Sequence, residues 1–206
     1  MDRNYTTAIK GFSILTVVWA HSGAMLSVGG IQFIAGIGVA LFLMCSGYGL
    51  EISYEKNGLK GFWKKRLLGV CLPFWGVELV GLLVTGTFSI KTYLLDFCFL
   101  KPATSYGWFM RYIVICYLIF YAVKRLVKDG KMRMLALFGA FGIWFVLESV
   151  FFANPDMPFL RARQMLSFPV GVLLATNKDE IERTLTKAKN ILILTGGVQC
   201  AFSSWQ

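Results

Sequence analysis

The chain has 206 residues, of which 56% are hydrophobic and 16% charged, and its formal net charge is +10. A soluble domain carries about 25% charged residues, so much of this surface faces something other than water. The chain has only one histidine, His21, which argues against a multi-histidine zinc or di-iron centre and leaves no expected metal.

Apolar stretches of about 20 residues are long enough to cross ~30 Å of hydrocarbon. In chain order they are Ala8–Val28, Gly30–Ile52, Leu67–Thr87, Gly107–Val123, Met134–Phe152 and Met165–Thr176, the last extending back to Pro158. A further run, Asn190–Gln206, starts as a helix and stops. Gly29-Gly30 reads as a tight turn that makes the first two spans a hairpin. The expected fold is therefore all-α: one polytopic transmembrane bundle over residues 1–206, with six full spans and a partial seventh. A cleaved signal peptide over residues 1–24 is the competing reading, disfavoured because a Gly-Gly turn and more spans follow at once. The five cysteines, without CxxC spacing, read as small buried hydrophobes.

Cations lie in short segments between the apolar runs, a topology signal and not a nucleic-acid one. Lys56, Lys60, Lys64, Lys65 and Arg66 follow the second span, Lys124, Arg125, Lys128, Lys131 and Arg133 the fourth, and Lys178, Arg183, Lys187 and Lys189 the sixth. The opposite connections hold only Lys91 and Lys101, or Arg161 and Arg163. The positive-inside rule then expects a multi-pass protein of the cytoplasmic membrane with a cytoplasmic N-terminus.

Lys10 and His21 stand eleven residues apart in the first span. On a helix they share a face and lie about 16 Å apart, with Lys10 near the membrane edge and His21 near its middle. An ionisable group at that depth is a functional candidate, and imidazole is the usual general base near neutral pH. The alternative is a histidine hydrogen-bonded to a neighbouring helix. Glu78 in the third span comes to a similar depth, where its carboxylate could orient the imidazole. Alternatively it is a protonated carboxyl bonded to a backbone or hydroxyl group. Arg66 is expected at the level of Lys10, and the two cations suit an anionic substrate entering from the cytosol. Arg111 and Glu148 match in depth near the outer ends of their spans, which allows a structural ion pair lining the outer side of a cavity.

Four segments, in order, carry a family resemblance over roughly residues 5–125. Lys10-Gly11 with His21, ten residues lying between Lys10 and the histidine, is the first, and the apolar run closing in Ser46-Gly47-Tyr48 is the second. The third is Phe62-Trp63-Lys64-Lys65-Arg66 leading to Pro73-Phe74-Trp75, and the fourth is Gly107-Trp108-Phe109 with Tyr117-Leu118 downstream. Together they resemble membrane-bound acyltransferase family 3, of the O-acetyltransferase type. Lys10 stands where the family usually has arginine, and Gly69 where many members have a second arginine. Family members also carry further helices, so the chain is expected to be C-terminally truncated.

The resemblance implies transfer of an acyl group, usually acetyl, from cytosolic acetyl-coenzyme A to a hydroxyl of a sugar or surface glycan. It implies His21 as the catalytic base and Lys10 and Arg66 as coenzyme-binding; Glu78, from its depth, is expected as the second catalytic residue, and Ser46, Tyr48, Trp108 and Arg111 are expected to bind substrate. The expected partners are acyl-coenzyme A, a hydroxyl-bearing glycan or small acceptor and the lipid bilayer, without nucleic acid. The alternative is a non-catalytic truncated relative or the membrane part of a larger assembly.

Overall fold

A computed structural model of the chain describes residues 3–25, 32–104, 107–151, 164–184 and 186–187. Among the described residues regular structure is helical, without strands. The helices are α1 (Arg3–Met25), α2 (Gln32–Asn57), α3 (Phe62–Arg66), α4 (Leu72–Val84), α5 (Ile90–Phe97), α6 (Trp108–Leu126), α7 (Gly130–Phe151) and α8 (Ser167–Thr176). A π-helical turn, Leu67–Cys71, joins α3 to α4. The expected Gly29-Gly30 turn, the Arg161 and Arg163 connection and the run Asn190–Gln206 lie outside the described residues. The chain forms two compact units, Met1–Ile52 with Ser167–Gln206, and Ser53–Leu166.

In the first unit α1 is built inside out. Ser13, Thr16 and Ala20 are buried at helical spacing, while Phe12, Leu15, Val18 and Trp19 are exposed. The buried hydroxyls are satisfied within the helix: Ser13 Oγ donates to the Ile9 carbonyl at 2.7 Å and Thr16 Oγ1 to that of Ser13 at 2.8 Å. Small residues set how closely the neighbouring helices approach. A Cβ on Gly38 of α2 would run into Thr16 Oγ1, and one on Gly47 into the Phe168 carbonyl oxygen of α8. From the other side, a Cβ on Gly171 of α8 would strike the Met44 carbonyl oxygen. Such backbone-to-backbone contact is how apolar helices gain packing when the solvent is itself apolar.

In the second unit the π turn has an identifiable cause. Pro73 has no N–H to give the Gly69 carbonyl four residues back, and its ring would clash there. The ladder widens, and Leu72 N–H reaches the Leu67 carbonyl five residues back. One continuous helical path therefore runs Phe62–Val84, so Arg66 sits inside a helix and not in a loop before it. After α4 the sequence reading expected only a loop. The structure instead has the short helix α5, tied down by Tyr93 Oη donating to the Trp75 carbonyl at 3.1 Å. In α6, Ile113, Cys116, Tyr117, Phe120, Val123 and Lys124 bury one face at spacings of three and four, and α6 packs on α7. Asp129 starts α7, its Oδ1 accepting the Met132 N–H at 2.8 Å. Cys45, Cys71 and Cys116 are buried as expected, whereas Cys98 is exposed in the turn after α5.

Among the described residues, three helical stretches are long and apolar enough to cross a membrane: Ile34–Asn57, Phe62–Val84 and Gly130–Phe151. Six full spans were expected. The helix at the first expected span, α1, includes Arg3, Lys10 and His21, and α6 includes Arg111, Lys124 and Arg125, which lowers their apolar character. With 10 residues α8 is too short to span alone. Exposed side chains speak for lipid contact: Val84 is 82% exposed while Glu78, on the same helix, is 9%. In water that arrangement would cost on both counts.

Candidate functional site

In the first unit α1 is unbroken from Lys10 through His21, so the two backbones hold the spacing read from sequence. The side chain of His21 lies outside the described part of the structure. Lys10 is half-buried, with its ammonium 5.7 Å from the centroid of the Phe42 ring on α2. Cys45, one residue before Ser46, lies within the field of Lys10. Ser46 and Tyr48 are both buried. The glycine between them is where α8 seats against α2, a packing reason for the Ser-Gly-Tyr triplet.

In the second unit Arg66 ends α3, half-buried. Its guanidinium carbon lies 5.5 Å from the Phe62 ring centroid and 5.7 Å from that of Tyr117. Both distances are within cation–π range. Arg66 Nε is buried without a hydrogen-bond partner among the described residues. Next to it Phe62 stacks on Phe120 at 6.1 Å, and Lys124 lies 5.3 Å from Phe120 and 4.6 Å from Tyr54. Arg133 completes the series 5.5 Å from Tyr54, while its Nε and Nη2 hydrogen-bond the Val127 and Lys128 carbonyls. Rings and cations thus alternate along one end of this unit.

Glu78 belongs to a different group. Its carboxyl is buried on α4, with the Thr104 hydroxyl and the Asp96 carboxyl acting on it. Asp96 on α5 is 2% exposed, and its Oδ1 accepts the Ala103 N–H at 3.2 Å. Burial pushes the Asp96 carboxyl up from its ordinary value, and the Ala103 N–H opposes this in part. Gly107 fits tightly here, since a Cβ on it would lie 3.4 Å from Asp96 Oδ1 and 3.0 Å from Pro102 Cβ. Trp75 stacks on Phe97 at 4.1 Å beside this group.

Trp108 is half-buried against Tyr112, which also meets Trp144 at 4.6 Å. Arg111 is exposed, and the Glu148 carboxylate acts on the Tyr112 phenol. Sequence reasoning missed Asp96 and Thr104, which lay in a stretch taken for a loop. It counted Lys124 only as a topology cation, although its place on the buried stripe of α6 is readable from the spacing.

The family model described as an acyltransferase domain matches residues 3–205. No curated relative and no solved structure matches the chain significantly.

Proposed function

Because the chain belongs to acyltransferase family 3, we propose that it moves an acetyl group from cytosolic acetyl-coenzyme A to a hydroxyl of a sugar or surface glycan. The observation that carries this reading is the family match over nearly the whole chain, with Lys10 and His21 on one uninterrupted helix. His21 takes the proton of the acceptor hydroxyl as its oxygen attacks the thioester carbonyl carbon. The C–S bond then breaks, and the proton passes to the leaving coenzyme thiolate. Lys10 and Arg66 hold the coenzyme phosphates, which places charge recognition at the membrane edge and chemistry deeper, as a long donor requires. Arg66 suits this role because its guanidinium stays charged and presents a planar fork to phosphate oxygens. Lys10 supplies charge without the bidentate fork of an arginine. Glu78 orients the base, and Ser46, Tyr48, Trp108 and Arg111 line the acceptor side. The protein sits in the cytoplasmic membrane with its N-terminus in the cytosol, its spans being the six of the hydropathy reading and a partial seventh.

The test is hydrolysis of labelled acetyl-coenzyme A by membranes carrying this chain, beside His21→Ala. Turnover that vanishes with the histidine supports the reading. Equal turnover in the variant removes the role of His21, and no turnover from inserted, stable protein favours a non-catalytic relative.

A further inference from the structure

A coenzyme A donor ends in an adenine carrying phosphates, and such a group is held by an aromatic surface beside positive charge. The second unit contains such a surface. Trp63 and Tyr121 both keep part of their rings accessible, and their centroids lie 5.4 Å apart at an interplanar angle of 49°. Buried Phe62 braces both, at 5.2 Å from Trp63 and 5.4 Å from Tyr121. Charge surrounds this pair. Arg66 follows Trp63 by three residues and Arg125 follows Tyr121 by four, so each cation lies on the same helix face as its ring. Lys64, Lys65 and Arg125 are exposed, and neither Phe62–Trp75 nor Trp108–Leu126 contains an acidic residue. Arg66 itself is half-buried, and its planar guanidinium fork matches phosphate oxygens bidentately.

We infer that Trp63 and Tyr121 form a stacking platform for the adenine of the acyl donor, with Arg66 and Arg125 taking its phosphates. The inference rests on the acyltransferase reading and deepens it, assigning the nucleotide end of the donor to particular rings. It also accounts for a donor site that has Gly69 where a second arginine would stand: stacking supplies what the missing guanidinium does not.

The experiment uses the full chain purified in detergent and equilibrium dialysis of labelled adenosine 3′,5′-bisphosphate, with tripolyphosphate as the base-free competitor. The nucleotide should bind saturably and displace tripolyphosphate. Trp63→Leu and Tyr121→Leu should each weaken nucleotide binding about tenfold, while Trp63→Phe keeps most of it. Arg66→Gln and Arg125→Gln should weaken both ligands. If tripolyphosphate binds as tightly as the nucleotide, or Trp63→Leu matches the parent, the platform is wrong and the rings are only membrane-edge packing. The two proposals fail separately. Nucleotide binding lost in Trp63→Leu, with no acetyl turnover anywhere, keeps the platform and removes the enzyme. Turnover that needs His21 but has the same donor KM in Trp63→Leu keeps the enzyme and removes the platform.

Discussion

Asp96 is a carboxyl at 2% exposure whose Oδ2 is buried without a hydrogen-bond partner. Burial raises its proton affinity in the folded state above that of an unfolded aspartate, which titrates near pH ~3.9. Between the unfolded and folded values the native chain binds more protons, so stability falls as pH rises. The contribution is complete below the unfolded value and lost above the folded one. Melting of the detergent-solubilised protein from pH about 4 to 7 should show this decline, and Asp96→Asn should flatten it, because the amide keeps an acceptor for Ala103 N–H but does not ionise. Parallel curves for the two proteins would show that Asp96 does not titrate in that window. At this scale Lys10 and His21 were legible because helical periodicity is a local property. The grouping of Glu78 with Asp96 and Thr104 was not, since it depends on α5 folding back on α4.

The helices contact one another through carbonyls and missing side chains. Gly47 and Gly171 each face backbone of the opposite helix, α8 or α2, whereas Gly49, two residues along α2, meets nothing within 4 Å. Gly47→Ala and Gly171→Ala should therefore each destabilise the first unit by about 1–3 kcal/mol, the usual cost of forcing volume into a packed contact. Gly49→Ala should be neutral or stabilising, because alanine is the better helix former. Unfolding in a graded denaturing detergent measures all three, and an equal effect at Gly49 and Gly171 would contradict the close approach. Phe120, fully buried between Phe62 and the Lys124 ammonium, is the matching test in the second unit. Phe120→Ala should cost about 3–5 kcal/mol and weaken donor binding by loosening the ring that braces Phe62. The helices α1, α2, α6 and α7 begin and end within about five residues of their hydropathy runs, whereas α5 left no such run. The π turn was not recognised from sequence, although Pro73 is its visible cause.

Across the whole molecule, charge placement assigns an orientation that one labelling experiment tests. In an otherwise cysteine-free chain, Lys64→Cys should react with a membrane-impermeant thiol reagent only after cells are permeabilised, and Lys91→Cys without permeabilisation. The reverse pattern would invert the topology and move the donor site to the wrong side for a cytosolic thioester. The sequence alone determined that this is a helical membrane protein of an acyltransferase type, because hydropathy, cation placement and motif order are all carried along the chain. Only the tertiary structure decided which buried groups meet. It set Arg66 beside the Phe62 and Tyr117 rings, brought Asp96 to Glu78 and put Lys124 over Tyr54 and Phe120. Arg66 with Tyr117 and Lys124 with Tyr54 are far apart in the chain, and such encounters depend on how separate helices pack and not on local periodicity.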